Sequence, residues 1–233
     1  MTAQQYLNQL LDTYAVVAEL SRKNGCRVLR MRNKSSQKDL ILRLFDTPVA
    51  AYDELYKIKC AHLPLIYDTI PLEDGQAVIE EYIDGLTVAQ VMESGRYSYL
   101  GARRVISALC DALDVLHRQG LVHRDVKPEN VMIDKNGRVV LIDFNAARKV
   151  SQADKDTVIM GTVGYASPEQ LGVTQSDART DIYALGVLLN VMVSGKHPSQ
   201  QLAKGKAGKI VRRCTMVNPD ERYQSTLKVA AVL

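Results

Sequence analysis

Residues 121 to 145, L-V-H-R-D-V-K-P-E-N-V-M-I-D-K-N-G-R-V-V-L-I-D-F-N, constrain this chain more than any other stretch. Val131-Met132-Ile133 is a short apolar run, and Asp134-Lys135-Asn136-Gly137 is a turn whose Asn-Gly pair supplies the positive-φ positions of a tight hairpin. Residues 138–142 form a second, β-rich run. An antiparallel hairpin brings its two outer ends together. Asn130, entering the first strand, and Asp143, leaving the second, therefore lie at the same end. Asp125 sits upstream of Asn130 in a loop that Pro128 keeps from becoming helical. Oxygen-bearing side chains thus converge on one point. Such ligands suit a hard cation such as Mg²⁺, which is held by one or two carboxylates plus substrate phosphates.

His123-Arg124-Asp125 with Asn130 resembles the catalytic loop H-R-D-x-x-x-x-N of protein kinases, and Asp143-Phe144 resembles their D-F-G. Asn145 replaces the glycine, and Asn is the other residue that best tolerates positive φ. Gly161-Thr162 through Ser167-Pro168-Glu169 is similar to G-T-x-x-Y-x-x-P-E, with Ser where A-P-E has Ala. Asp181 and Gly186 in D-I-Y-A-L-G, and Arg222, also fall where the family places them. The resemblance covers nearly the whole chain and is strongest from about residue 82 onward.

The resemblance implies an α+β, two-lobed fold. Residues 1–81 would form a small antiparallel-sheet lobe with one main helix, 82–85 a hinge, and 86–233 a larger, mostly helical lobe. It implies ATP as phosphoryl donor, with Mg²⁺ or Mn²⁺ held by Asn130 and Asp143. Asp125 would accept or orient the substrate hydroxyl, and Lys127 would neutralise charge on the γ-phosphate. Lys127, two residues after Asp125, resembles Ser/Thr rather than Tyr kinases. Val28, Arg43, Glu81, Ile83 and Met132 would contact the nucleotide. Glu169 paired with Arg222, and Asp181 on a central helix, would be structural anchors. Arg124 is the kind of guanidinium that pairs with a phosphate on the 146–160 segment, on Thr157 first and Ser151 second.

The N-terminal third departs from the family pattern. Residues 2–13 read as a short helix, 14–20, 26–32 and 39–45 as strands, and 21–26 as the loop over the nucleotide phosphates. That loop, S-R-K-N-G-C, keeps one displaced glycine of G-x-G-x-x-G, so its clamp is expected to be weak, with Arg22 and Lys23 compensating in charge. Arg43 stands where V-A-I-K has lysine, and Ile41 replaces its small residue. Thr47-Pro48 reads as the start of a helix, with Thr as N-cap and Pro at the first position. Its Glu54 is the expected partner of Arg43, with Lys23 or Arg30 as alternative sources of the phosphate-binding cation. Glu80 falls at the usually apolar position before the hinge and is expected to bond a neighbour in its own lobe, since a lone buried carboxylate is unfavourable.

Further on, 100–119 reads as an amphipathic helix ended by Gly120, 181–194 as a fully buried one, and 202–215 as another. The short Lys-, Gly- and Gln-rich stretch between lacks most of the helix kinases place there. A net charge of +4 without basic clusters argues against nucleic acid. Cys26, Cys60, Cys110 and Cys214 are widely spaced, which reads as reduced thiols in the cytoplasm. No signal peptide or membrane-spanning run is expected. A working Ser/Thr kinase of bacterial style is the first reading. A pseudokinase scaffold is the second, resting on the lost glycines, Arg43, Ile41, Glu80 and Asn145. A small-molecule kinase is the third. Protein substrate, upstream regulator and oligomeric state stay open.

Overall fold

The computed structural model describes residues 1–150, 164–171 and 176–233 and divides into two compact units, Met1–Lys59 with Pro64–Ile83, and Cys60–Leu63 with Asp84–Leu233. Unit one holds a sheet in the order β1-β2-β3-β5-β4, made of β1 (Tyr14–Lys23), β2 (Cys26–Asn33), β3 (Asp39–Phe45), β4 (Ile66–Leu72) and β5 (Gly75–Glu81), antiparallel throughout. Side chains alternate faces along each strand. Leu29 and Met31 of β2, Leu40, Leu42 and Leu44 of β3, and Ala77 of β5 form one apolar face. Helix α1 (Ala3–Leu10) covers it with Leu7 and is started by a Thr2–Gln5 capping box. Each fully buried leucine contributes roughly 2 kcal/mol.

The other face carries charge. Arg30 and Arg32 flank Asp39, whose hydrogen bonds from Arg32 and then Arg30 lower its pKa to about 2. The first corrections fall here. Residues 21–23 continue β1, so the expected phosphate loop is a two-residue turn, with Asn24 at φ 53° and Gly25 at φ 68°. Positive φ at both central residues is the type I′ turn that Asn-Gly favours. Arg22 donates to Glu19 at 2.9 Å. The next helix, α2 (Ala51–Leu55), starts at cap residue Ala50 and not at Thr47. The Val49 N–H is taken by the Gln76 side chain at 2.9 Å, so that tertiary bond delays the helix.

Unit two is built on helices. Helix α4 (Tyr99–Arg118) buries Val105, Leu109, Leu113 and Leu116, as its spacing predicts. Helix α5 (Ala178–Ser194) is buried nearly all round. Gly186 lets α6 (Gly205–Cys214) approach, since a Cβ there would lie 2.4 Å from Cys214 Cβ. Helix α3 (Val88–Glu93) and α7 (Thr226–Ala230) complete the helical set among the described residues. A three-stranded sheet joins β6 (Gly85–Thr87), β8 (Val131–Asp134) and β9 (Val139–Leu141), and a two-stranded one joins β7 (Leu121–Val122) to β10 (Arg148–Lys149). None of the helices among the described residues is long and apolar enough to cross a membrane.

The short connection after α5 holds its shape through one buried amide. Asn190 donates to Ser194 Oγ and to the carbonyls of Lys196 and Gln201, and accepts from Ala203 N–H at 2.7 Å. No helix occupies residues 195–204. Asn190→Ala leaves buried backbone groups without partners, each costing about 1–3 kcal/mol. The expected loss is about 2–4 kcal/mol, measured as a fall in the urea midpoint at unchanged m-value.

Candidate active site

The β8–β9 hairpin forms, with Val131 opposite Leu141 and Ile133 opposite Val139. Asp134 closes the turn by accepting from Asn136 N–H and Arg138 N–H. Gly137 alone takes positive φ there, at 83°, so Asn136 does not supply the second such position. The ladder runs one step past β9, where Ile142 N–H donates to Asn130 C=O at 2.9 Å. That bond places Asp143 beside Asn130.

Asp125, Lys127 and Asn130 meet directly. Lys127 Nζ donates to Asp125 Oδ2 at 2.7 Å, and Asn130 Nδ2 donates to both Asp125 Oδ2 and Asp125 C=O at 2.8 Å. Pro128 opens a single 3₁₀ turn over Pro128–Asn130, which brings the three side chains round. Both amide protons of Asn130 are spent on Asp125, so its remaining polar atom, Oδ1, is an acceptor. Asn130 is buried, and Asp143 sits at φ 67° on the far side of the hairpin end. An amide oxygen and a carboxylate at the same end of one hairpin are the ligand types of a hard cation that takes its other ligands from phosphate and water. Among the described residues no group of three or more His, Cys, Asp or Glu is arranged to hold a metal by itself.

The loop is anchored from below. Asp181 on α5, fully buried, accepts from His117 Nε2 at 2.7 Å, His123 N–H at 3.0 Å and Arg124 N–H at 2.8 Å. Burial alone would raise its pKa, but the bond from His117 and the neighbouring histidines hold it below the usual carboxylate value. Arg124 takes φ 69°, a conformation that costs a non-glycine residue about 1–2 kcal/mol. Asp181 holds its N–H, and Gln170 Nε2 donates to its carbonyl at 2.8 Å. The Arg124 side chain, expected on a phosphate, is buried at 6% exposure. Ser151, Thr157, Gly161 and Thr162 lie outside the described residues. Glu169 and Arg222 form the expected pair, bidentate at 2.6 and 2.8 Å.

His123 ties the loop to the Asp143 segment. Its Nδ1 accepts from Asp125 N–H at 3.3 Å, so Nε2–H donates to Ile142 C=O at 3.2 Å, and the ring meets Phe144 edge-on at 5.0 Å. Burial lowers its pKa below 6.5. The unfolded chain therefore takes up the proton first as pH falls. Stability is full above pH about 6.5 and declines below it by up to about 1.4 kcal/mol per unit until the folded pKa is reached. His123→Gln, which keeps a donor for Ile142, should flatten that slope in urea titrations at pH 7.5, 6.5 and 5.5.

Unit one gives a different picture. Arg43 pairs with Glu80, Nε to Oε1 at 2.7 Å, with the two side chains 7% and 5% exposed. Glu54, the expected partner of Arg43, meets Lys57 at 3.4 Å within its own segment. Glu80 does bond a neighbour in its own lobe, as expected. Arg30 is engaged with Asp39 and stacks over Tyr82 at 4.2 Å, so its charge is already answered. Lys23 is exposed at the end of β1. Val28 lies opposite Ser21 and Arg43. Glu81 N–H donates to Leu65 C=O, its Oε2 accepts from Leu65 N–H, and Ile83 is buried. Met132, in unit two, lies opposite Thr87 and Val140. The tight Asn24-Gly25 turn, with Lys23 directly opposite Cys26, leaves no glycine-lined cradle and does not fit a phosphate.

His117, Gln170, Asn190 and the Glu80–Arg43 pairing were beyond sequence reasoning. Gln170 and Asn190 are ordinary polar residues whose roles come from distant backbone groups, and no local pattern marks them.

A protein kinase domain model matches residues 19–230. The chain is 34% identical over 140 residues to the probable serine/threonine-protein kinase pknA2 of Bifidobacterium longum, covering 59% of this chain and 18% of that protein. It is 30% identical over 200 residues to serine/threonine-protein kinase PknB of Mycolicibacterium smegmatis, covering 72% and 32%. With PknB of Mycobacterium tuberculosis the figures are 34% over 142 residues, 57% and 23%. The matched stretch spans about a third or less of the length of these relatives.

Proposed function

This chain belongs to the protein kinase family, and from that premise we propose that it is an ATP-dependent Ser/Thr phosphotransferase acting slowly on a protein hydroxyl. The observation that carries the reading is the Asp125 carboxylate, gripped by Lys127 at 2.7 Å and Asn130 at 2.8 Å on a loop fixed to buried Asp181. Phosphoryl transfer is mostly positioning and electrostatics, and these residues supply both. Asp125 orients the substrate hydroxyl and accepts its proton. Lys127, beside it, faces the negative charge of the transferred group. Asn130 Oδ1 and Asp143 would hold Mg²⁺, which when bound neutralises phosphate charge. In this reading unit one is the nucleotide-covering lobe, residues 82–85 are the hinge, and Val28, Arg43, Glu81, Ile83 and Met132 contact the nucleotide. The free thiols, three of them buried, fit a reducing compartment such as the cytoplasm.

The rate is expected to be low because the Asn24-Gly25 turn supplies no phosphate cradle, and misplacing reacting groups by about 1 Å costs about a hundredfold. The same turn favours a second reading, a scaffold with a kinase's shape. Melting curves with ATP, with and without Mg²⁺, separate the two alongside a radiolabel transfer assay. Mg-ATP should raise the melting temperature, ATP with chelator should not, and Asp143→Asn should remove the shift. Millimolar Mg-ATP that leaves the curve unmoved sinks the enzymatic reading. Bound ligand stabilises by RT ln(1+[L]/Kd), about 2.7 kcal/mol at a hundredfold excess.

A further inference from the structure

His197, on the connection after α5, reaches back across 33 residues of sequence to Gly164. Its Nε2 meets Gly164 C=O at 2.8 Å, and its Nδ1 meets Ser199 Oγ at 2.7 Å and Ser199 N–H at 3.2 Å. A backbone N–H can only donate, so Nδ1 is the acceptor and Nε2 carries the proton given to Gly164. The ring stands on a braced backbone. Lys196 C=O accepts from Asn190 Nδ2 at 2.8 Å, and His197 C=O accepts from Gln200 N–H at 2.9 Å and Gln201 N–H at 3.1 Å. Gly164 is exposed and takes φ 92°, and a Cβ there would meet His197 Cδ2 at an ordinary 3.9 Å. Glycine is needed there for its backbone, and a glycine backbone is also the freest to move unless its polar groups are held.

The held segment borders the proposed reaction centre. Gln170 Nε2 donates to Arg124 C=O at 2.8 Å, next to Asp125, and Ser167 N–H donates to Gln170 Oε1 at 3.0 Å. Burial pushes the Tyr165 hydroxyl up to about 12, and the charge of nearby Glu129, next to Asn130, adds to it. A hydroxyl that gives its proton to Asp125 must come within about 3 Å of it. The residues flanking that hydroxyl in an acceptor chain then run over whatever borders Asp125. We propose that His197 is a positioning residue for an extended polypeptide acceptor: by holding the Gly164 carbonyl, it fixes residues 164–166 as the surface the acceptor's main chain lies against. This rests on the phosphotransferase reading given above and deepens it. A surface ordered before binding costs the acceptor less affinity than one it must order itself. The slow turnover expected here makes KM report acceptor binding, so the effect of His197 falls on the acceptor's KM and not on kcat.

The test is phosphoryl transfer to a synthetic library of serine peptides by the wild-type chain, His197→Ala, His197→Gln and Ser199→Ala. The best wild-type peptide is then used for steady-state kinetics, and melting curves check folding. His197→Ala should raise the peptide KM about fivefold, the worth of one hydrogen bond, with kcat and the KM for ATP within about twofold of wild type. Glutamine keeps a donor where Nε2 stands, so His197→Gln should return the peptide KM to within about twofold of wild type. Ser199→Ala keeps the imidazole but loses the hydroxyl that turns it, and should raise the peptide KM by less. An unchanged peptide KM in His197→Ala, an equal rise in the KM for ATP, or no recovery in His197→Gln overturns the proposal alone. If His197→Ala fails to fold, an unmoved peptide KM in Ser199→Ala overturns it. Wild type that transfers phosphate to no peptide overturns the functional reading and this proposal with it.

Discussion

Arg222→Ala should destabilise unit two by about 3–5 kcal/mol, the cost of stripping a buried charge of its partner. All five guanidinium donors of Arg222 are used. Nε donates to Met216 C=O, Nη1 to Glu169 Oε1 and Arg179 C=O, and Nη2 to Glu169 Oε2 and Val217 C=O. The Tyr183 ring centroid lies 5.0 Å from the guanidinium, and Thr180 Oγ1 donates to Glu169. One side chain thus joins the Pro168–Leu171 turn to α5 and to the chain after α6. Arg222→Lys should recover little, because an ammonium cannot make the forked contact.

The pH dependence of that variant gives a second, sharper readout. In the wild type, burial works to raise the Glu169 pKa, but the Arg222 hydrogen bonds leave it below 4.5. Its stabilisation is present above pH about 4.5 and is lost as pH falls through the folded value. Without Arg222 burial is opposed only by the hydrogen bonds from Ser167, Thr180 and the Glu169 backbone, so the folded pKa rises relative to the wild type. The variant should then lose less stability than the wild type as pH falls below about 4.5. A stability profile that keeps the wild-type slope would mean that water reaches Glu169 and that the pair is not sealed.

How much of this was legible in the residues depends on the range of each interaction. The β8–β9 hairpin was legible because Asn136-Gly137 sits between two apolar runs, and turn chemistry is local. Asn24-Gly25 carries the same dipeptide, and its type I′ turn follows from the same rule. There the likeness to a phosphate loop pointed the other way, and local turn preference prevailed. The Glu169–Arg222 pair was legible only through family resemblance, since 53 residues separate its members. The Arg43–Glu80 contact was not legible for a similar reason. It follows from the β3–β5 register, which no single segment encodes. The start of α2 was missed because Gln76, far along the chain, takes the Val49 amide.

The strain in the loop around Asp125 shows what such long-range contacts are for. Arg124 and Asp143 both hold positive φ without being glycine. Asp181 and Gln170 fix the first through its backbone N–H and carbonyl, and His123 bridges from one segment to the other. Residues in such conformations persist only where their surroundings over-determine them, and they cluster where geometry serves chemistry.

Asp125→Asn should lower phosphoryl transfer by about 10²–10⁴-fold, the usual contribution of a positioned acid–base group, while leaving the Mg-ATP melting shift intact. The amide is nearly isosteric, so the loop should keep its shape, with Lys127 able to donate to the amide oxygen as it now does to Oδ2 at 2.7 Å. What the change removes is the basic oxygen that, in the proposed function, takes the hydroxyl proton. Asp143→Asn should behave differently, losing the melting shift because the proposed metal ligand is gone. The contrast separates proton handling from metal binding at two carboxylates on opposite sides of one hairpin. Transfer by Asp125→Asn at the wild-type rate, measured with protein free of contaminating kinase, would remove Asp125 from the chemistry and leave the scaffold reading standing.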